Sequence, residues 1–259
     1  MWQRSRAARE PIRSASKQAT FRATGSAMSS SLQAAYDAVY QGKNPGRDDL
    51  NLGRWPRDRL EACAVNAPPG GRVLDIGCGN GLLLYNLRHK FDELCGIEFS
   101  GARAGIAAEA LEGLNGDIRQ GNVEERLAWD DGYFDVIVLS DVIEHIVNLW
   151  PAMTEITRLL KPGGHVVIST PNVACLRARL KLLRGEFPAS KPQEGFKLRT
   201  HDELHDGGHV HYFTFSMLDR LFERYGYSEV KRFGIGRFGR LHNLQPTLLS
   251  GSCHVVAKK

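Results

Sequence analysis

One stretch of the sequence sets an acidic residue before three glycines at alternate positions: Asp75, Gly77, Gly79 and Gly81. It follows the apolar run 73–76 and precedes the apolar run 82–87, so it predicts a turn from a buried strand into a helix. Glycines at such a turn let the backbone approach a ligand, and the N–H groups of the helix face whatever binds there. The stretch therefore predicts a ligand-binding turn.

Glu98 stands seventeen residues beyond Gly81, at the end of the next predicted strand. An acidic residue at that place can accept hydrogen bonds from the two hydroxyls of a ribose. The glycine spacing is G-x-G-x-G, whereas a dinucleotide pyrophosphate is typically bound by G-x-G-x-x-G. The pattern predicts a nucleoside ligand that is not a dinucleotide.

A second candidate site is rich in histidine. Four of the nine histidines fall within eleven residues, namely His201, His205, His209 and His211. With nearby carboxylates they could form a zinc or iron site, but the spacing is irregular and Gly207-Gly208 interrupts it, so we expect no metal. Residues 208–214 resemble the segment that borders the substrate pocket in many small-molecule methyltransferases. That resemblance makes His209 or His211 a candidate general base, with a hydrogen-bonded structural histidine as the alternative.

A third group of candidates is basic. Arg177, Arg179, Lys181 and Arg184 lie on one predicted helix, and the basic residues that follow are Lys191, Lys197 and Arg199. A solvated basic face is the usual meaning of such a run. The alternative is recognition of an anionic substrate that carries phosphate, carboxylate or a nucleotide sugar.

Strands and helices alternate along the region that holds these candidates. Strands are predicted at 73–76, 94–99, 118–120, 134–139, 165–170, 228–234 and 253–257. Helices are predicted at 32–40, 56–65, 82–87, 101–113, 149–160, 173–184 and 216–225. Such alternation predicts an α/β fold in which a parallel sheet carries helices on both faces.

Four ordered segments resemble the motifs of class I S-adenosylmethionine-dependent methyltransferases. They are VLDIGCGNG (73–81), GIEFS (96–100), FDVI (134–137) with EHI (144–146), and LLKPGG (159–164). The resemblance is close over about residues 60–170 and looser beyond. It implies a Rossmann-like seven-stranded sheet, a C-terminal antiparallel hairpin, a substrate-capping insertion at 173–215 and S-adenosylmethionine as cofactor.

The resemblance also implies roles for single residues. It places at the cofactor Asp75, Gly77, Cys78, Gly79, Gly81, Glu98, Phe99, Asn122, Val123 and Ser140. Within that set, Glu98 holds the ribose, Phe99 lies against the adenine, and Asn122 with Val123 reads the adenine edge. Many relatives have Asp in place of Asn122, whose amide oxygen remains an acceptor. Asp141 falls at the methyl-transfer site or caps a helix, and His145 is a candidate base or a structural residue.

Composition limits the remaining possibilities. The chain has 259 residues and a net charge of +5, and residues 1–31 carry six basic side chains and one acidic, so the rest is neutral. We therefore expect no nucleic-acid partner and, with no long apolar run, no membrane partner. The five cysteines form no C-x-x-C pair, which favours a reducing, cytoplasmic location.

The basic segment 1–30 is expected to be a disordered tail that precedes one domain at 31–259. Its composition also resembles that of a mitochondrial transit peptide, and a start at Met28 is a further alternative. Taken together, the sequence predicts a methyltransferase that acts on a small molecule, with anionic molecules among the candidates, and that transfers the methyl group to oxygen. The alternative is a cofactor-binding accessory protein that partners a biosynthetic enzyme. A nucleic-acid methyltransferase is disfavoured, because the sequence has neither a basic body nor an N-P-P-Y-type motif. The sequence predicts no particular oligomeric state.

Overall fold

The apolar runs of the sequence come together as the strands of one mixed sheet. The computed structural model describes residues 20–23, 44–188, 208–236 and 239–259, with the backbone alone at 20–23. The strands are β1 (Thr20–Ala23), β2 (Gly70–Ile76), β3 (Phe91–Glu98), β4 (Gly116–Gln120), β5 (Phe134–Ser140), β6 (Leu160–Pro171), β7 (Ser228–Phe233) and β8 (Ser252–Lys258).

Helices occupy most of the connections between these strands. They are α1 (Arg59–Asn66), α2 (Leu82–Leu87), α3 (Gly101–Ala110), α4 (Leu149–Leu159), α5 (Leu176–Leu183), α6 (Phe215–Arg224) and α7 (Pro246–Leu249). Two short 3₁₀ helices cover Ile143–His145 and Gly239–Asn243. Within the described ranges, no helix is both long enough and apolar enough to span a bilayer.

The sheet has the strand order β1-β4-β3-β2-β5-β6-β8-β7. Strands β1 to β6 pair in parallel, and β8 pairs antiparallel with both β6 and β7. The chain runs outward from β2 through β3 to β4 on one side, and from β5 to β6 on the other. Its order therefore reverses between β2 and β5, and ligands of such sheets bind beyond the carboxyl ends of the strands at that point.

Alternate residues of the central strands pack into two separate cores. Val73 of β2 and Val136 of β5 pack with α1, α2 and α3 on one face. Leu74 and Ile137, their chain neighbours, pack with α4 and α6 on the other face. Because neighbouring strand residues point to opposite faces, an apolar run with no polar alternation forms a strand buried on both sides. The prediction of helices on both faces is confirmed.

The seven predicted strands and the final antiparallel hairpin are confirmed, with small differences at the ends of elements. Residues 161–164, which lie between a predicted helix and a predicted strand, belong to β6, because Phe134 pairs with Leu160 and Val136 already pairs with His165. Four residues of β6 therefore bulge opposite Asp135. The 3₁₀ helices and α7 have no counterpart in the prediction, since segments so short show little periodicity.

The N-terminal segment differs from the expected disordered tail at one place. Thr20–Ala23 forms the edge strand β1, which pairs in parallel with β4. The reason is that β4 would otherwise leave its outer backbone groups unpaired at the sheet edge. The predicted helix at 32–40 and the rest of 1–30 lie outside the described residues.

Candidate active site at the carboxyl edge of the sheet

The glycine turn after β2 is built in left-handed backbone. Gly79 has φ of 61°, and Gly81, which begins α2, has φ of 82°. A Cβ atom on Gly79 would lie 2.5 Å from Nη2 of Arg103, and one on Gly81 would lie 2.9 Å from the Cβ of Ala110. Both positive φ angles favour glycine, and close packing against α3 also excludes a side chain at Gly81, whereas the Arg103 guanidinium beside Gly79 is the movable end of a long side chain. The turn therefore presents backbone at the sheet edge.

Glu98 connects this turn to the end of β3. Its side chain is only 5% exposed, and its Oε2 accepts a hydrogen bond of 2.9 Å from the backbone N–H of Gly79. Its Oε1 accepts one of 3.2 Å from the backbone N–H of Ser100, and Nη1 of Arg103 lies 3.8 Å from Oε2. A carboxylate offers about four lone-pair positions, so Glu98 can still accept from ligand hydroxyls.

Asp75 and Cys78 lie beneath the turn. Asp75 is buried, and its pKa is held well above the usual range by burial and by the charge of Glu98. The side chain of Cys78 packs in the core with α2 and α3, close to Gly96. Only the main chain of Cys78 is therefore left to face a cofactor, so its predicted contact is limited to backbone atoms.

The residues predicted at the adenine form a less open surface than the sequence suggested. Phe99 is half-buried directly after β3. Val123 is buried in the core, and Oδ1 of Asn122 accepts a hydrogen bond of 3.0 Å from the N–H of Glu124. The amide oxygen of Asn122 thus already stabilises a local turn, and its second lone pair is the acceptor left for a ligand.

S-adenosylmethionine, the cofactor that the resemblance implies, fits the residues found at this edge. In the loop from Gly77 to Gly81, the space beside the Cα atom of Gly79 holds the guanidinium end of Arg103, a flexible side chain that a ligand can displace. Beside it, the buried carboxylate of Glu98 keeps acceptor capacity for hydroxyl groups. A glycine-lined backbone and a buried carboxylate suit an amino-acid moiety joined to a nucleoside.

Asp141 follows β5 at the same edge, and its φ angle is positive, which is uncommon for a residue other than glycine. Its φ is 53°, its N–H donates to the carbonyl of Ser169, and its Oδ2 lies 2.7 Å from Nη1 of Arg59. Its Oδ1 is buried and makes no hydrogen bond within the described ranges. Burial raises its pKa to about 6, against the opposing charges of Arg59 and His209. The 3₁₀ helix that follows has Val142 at its N-cap and no side-chain capping hydrogen bond, which counts against the helix-cap alternative.

Ser140 precedes Asp141 and ends β5. Its Oγ is buried, with no hydrogen-bond partner within the described ranges. Ser140 lies at the edge where the resemblance places the methyl-transfer site. Its contact with the cofactor stays a prediction.

Glu144 is the most deeply buried acidic residue of this region, at 1% exposure. Its Oε2 accepts a hydrogen bond of 2.9 Å from Oγ1 of Thr170, whereas Oε1 is buried without a hydrogen-bond partner among the described residues. Burial, together with the nearby charge of Asp141, raises its pKa to about 8. A buried carboxyl with one unmatched oxygen is a functional candidate on physical grounds.

The two candidate histidines His145 and His209 lie side by side. Their rings meet edge to face with centroids 4.8 Å apart. Nδ1 of His145 lies 3.3 Å from the carbonyl oxygen of Gly208. The segments are joined by the backbone, since the N–H groups of Val210 and His211 both donate to the carbonyl of Glu144.

His211 lines a groove. The groove has a volume of about 690 Å³ and runs between α4 and α6, with Trp150, Met217 and His211 among its lining residues. Nε2 of His211 is buried and makes no hydrogen bond within the described part of the chain. His209 and His211 therefore have different surroundings.

The predicted basic helix is α5, and it lies largely in solvent. Arg177, Arg179 and Arg184 are exposed, and Ala178 is its buried residue. Lys191, Lys197, Arg199, His201 and His205 lie outside the described residues. Both interpretations of the basic run, a solvated face and a surface that recognises an anionic substrate, therefore stay predictions.

Three side chains of the site carry contacts that sequence reasoning did not assign. Arg59 pairs with Asp141, Thr170 donates to Glu144, and Glu144 itself supplies the unmatched oxygen. The Glu144-His145 dipeptide was a visible signal for Glu144. Nothing in the spacing of Arg59 or Thr170 pointed to this edge.

Comparison with known proteins identifies the family of the chain. A family model described as a methyltransferase domain matches residues 50–231. The curated ubiquinone biosynthesis O-methyltransferase of Alkalilimnicola ehrlichii is 36% identical over 107 residues, which are 40% of this chain and 42% of the relative. The protein of that name from Dechloromonas aromatica is 38% identical over 105 residues, 40% of this chain and 45% of the relative. The chain thus matches about half the length of these relatives or less.

Solved structures agree on the fold. An S-adenosylmethionine-dependent methyltransferase from Mesorhizobium loti superposes with a TM-score of 0.55 at 19% identity, over 77% of this chain and 95% of that one. A possible histamine N-methyltransferase from Thermotoga maritima gives 0.53 at 19% identity, over 78% and 88%. At such identities the likeness concerns the fold alone.

Proposed function

This chain belongs to the class I S-adenosylmethionine-dependent methyltransferases, and from that premise we propose that it methylates an oxygen atom of a small molecule. The observation that carries the proposal is the meeting of two unlike surfaces at the switch point of the sheet. One is the bare glycine turn with Glu98, and the other is the group Asp141, Glu144, His145 and His209, with His211 at the adjoining groove.

The residues after β2 and β3 would hold the cofactor. S-adenosylmethionine supplies an activated methyl group when it is bound. The backbone of the turn at Gly77–Gly81 would accommodate its amino-acid part, and the spare lone pairs of Glu98 would accept from its ribose. Phe99, Asn122 and Val123 would border the adenine, and Asp75 and Ser140 would complete the site beside Cys78.

The residues after β5 would act on the acceptor molecule. A hydroxyl nucleophile must lose its proton, and a positioned base typically contributes about 10²–10⁴-fold to the rate. We assign this role to His211, whose buried Nε2 has no hydrogen-bond partner among described residues and whose ring lines the groove. His209, His145 and Asp141 would then position the acceptor.

The relatives support oxygen as the acceptor atom, because their names describe O-methyltransferases of ubiquinone biosynthesis. The groove favours an acceptor with an apolar part, since Trp150 and Met217 line it. An anionic group on the acceptor would be recognised by the basic residues of α5, such as Arg177 and Arg179.

The decisive experiment is turnover of a panel of phenols, sugars, carboxylates and amines with S-adenosylmethionine, followed by mass spectrometry. Addition of 14 mass units to a phenol or alcohol supports the proposal, provided that a Gly79→Val variant is inactive. Methylation of amines alone would contradict oxygen as the acceptor. Cofactor binding without turnover, together with co-purification of an enzyme partner, would favour the accessory-protein alternative.

A further inference from the structure

Three side chains at the acceptor end of the site converge on one point. Donor atoms of Glu144, His145 and His209 lie within 4.8 Å of one another. Glu144 and His145 belong to the 3₁₀ helix after β5, whereas His209 comes from the segment before α6. Hydrogen bonds from the N–H groups of Val210 and His211 to the carbonyl of Glu144 hold the two segments together.

The side chains in this group are oriented by neighbours outside it. A carbonyl oxygen only accepts hydrogen bonds, so the 3.3 Å contact between Nδ1 of His145 and the carbonyl of Gly208 requires the proton on Nδ1. In a neutral ring the lone pair is then on Nε2. Thr170 holds Oε2 of Glu144 in the same way, at 2.9 Å. Partners of this kind commonly orient the ligands of a metal ion.

Unmatched acceptor atoms point to what the group binds. Oε1 of Glu144 and Oδ1 of Asp141 are both buried without a hydrogen-bond partner among described residues. Asp141 is close enough to His209 and to Glu144 for their charges to interact. Buried acceptors without donors are costly, so two of them beside two imidazoles favour a cationic ligand over a neutral one.

We infer that Glu144, His145 and His209 form a binding site for one divalent transition cation, with Asp141 as an additional carboxylate beside it. Two imidazoles and a carboxylate suit Mn²⁺, Fe²⁺ or Zn²⁺ better than Mg²⁺ or Ca²⁺, which prefer oxygen ligands alone. Three protein ligands leave coordination positions for other donors. The inference deepens the proposed function, because an oxygen of the acceptor bound there would be oriented and would lose its proton more readily.

The test measures cation binding without any acceptor or cofactor. The full-length protein is treated with a chelator, and Mn²⁺ is titrated while its electron paramagnetic resonance signal is followed. We expect one bound Mn²⁺ per chain, displaced by Zn²⁺, which generally binds more tightly at such sites. Glu144→Gln and His209→Gln should each weaken binding by more than about tenfold, and Thr170→Val by roughly 10–100-fold.

Controls separate loss of a ligand from loss of the fold. His89→Gln changes an exposed histidine at the end of α2 and should leave Mn²⁺ binding unchanged. Saturating Mn²⁺ should raise the melting temperature of the wild type and of His89→Gln, because a ligand that binds only the native state stabilises it. It should not raise that of Glu144→Gln. Where a variant does not fold, His145→Gln replaces it in the series.

Two results would overturn the inference: no stoichiometric Mn²⁺ or Zn²⁺ binding, or binding that the Glu144, His145 and His209 variants leave intact. Neither result bears on methyl transfer. Conversely, a protein that binds one Mn²⁺ at these residues and methylates nothing would contradict the proposed function but would support the inferred cation site.

Discussion

Two regions meet at the switch point of the sheet, and they are built in different ways. The cofactor region (residues 75–81 and 98–100) uses backbone and the carboxylate of Glu98, whose two oxygens both accept hydrogen bonds from the chain. The acceptor region (residues 140–145 and 208–211) uses side chains, and Glu144, Asp141 and His211 each keep one buried polar atom unmatched among described residues.

From this difference we expect the cofactor region to supply binding and the acceptor region to supply selectivity. Internal hydrogen bonds hold the cofactor region in shape before any ligand arrives, so it suits a ligand that every member of the family shares. The acceptor region keeps unmatched donors and acceptors, which cost stability unless a ligand satisfies them. It is therefore the region expected to decide what is methylated.

The largest effect is expected in the cofactor region, from Gly79→Val. Gly79 has φ of 61°, where a branched residue is strained, and its Cβ would meet Arg103 at 2.5 Å. We expect binding of S-adenosylmethionine to be lost in calorimetry. The matched control is Gly105→Ala, because Gly105 lies in α3 and no atom lies within 4 Å of the position that its Cβ would take. Equal affinity in both variants would show that the turn does not contact the cofactor.

His211→Gln should produce the next largest effect, in the acceptor region. We expect kcat to fall by about 10²–10⁴-fold while cofactor affinity stays within twofold, because a general base is lost and the turn is untouched. His89→Gln again serves as the control. Unchanged turnover of His211→Gln would move the base to His209, His145 or Asp141, or would indicate a carboxylate nucleophile that needs none.

Glu98→Ala is expected to weaken cofactor binding by roughly 1–3 kcal/mol, the scale of a hydrogen bond to a charged group. The melting temperature should fall as well, since the N–H groups of Gly79 and Ser100 lose their acceptor. Glu98→Gln keeps one oxygen and should lie between the wild type and Glu98→Ala in affinity. Affinity of the alanine variant within twofold of wild type would mean that Glu98 holds only the turn.

The smallest effect is expected in the pH dependence of stability, and it comes from His254 on the strand next to β6. His254 on β8 is fully buried beside Ser169 of β6, and burial lowers its pKa to about 4. The unfolded chain binds the proton more readily, so the stability that neutral His254 contributes is lost as pH falls through about 6.5. Between pH 7 and pH 5.5 we expect a loss of about 1 kcal/mol from this residue.

The matched variant for this prediction is His254→Gln, compared with wild type in urea unfolding at each pH. The raised pKa values of Asp141 and Glu144 act in the opposite direction, since their protonated forms are favoured in the folded state. Those contributions cancel in the difference between the two proteins. A difference that does not change with pH would mean that His254 keeps its ordinary pKa in the fold.

Much of the fold was predictable because its signals are local. The strand from Val73 to Ile76, the glycine turn and the helix at Leu82–Leu87 are contiguous, so periodicity and residue type revealed them together. Edge strand β1 was missed, because four residues carry little pattern and pair only with β4. The same holds for the 3₁₀ helix Ile143–His145, whose length is below one period of a helical pattern.

The candidate site likewise has one region whose signals are local in the sequence and one region whose contacts are not. The glycine turn and Glu98 of the cofactor region were predictable, because residue type and spacing along two successive strands reveal them. The contacts of the acceptor region were not, since Arg59 meets Asp141 and His209 meets His145 across long stretches of chain. Such contacts depend on how helices and loops pack around the sheet, and a buried atom without a partner can be recognised only when all its neighbours are in place.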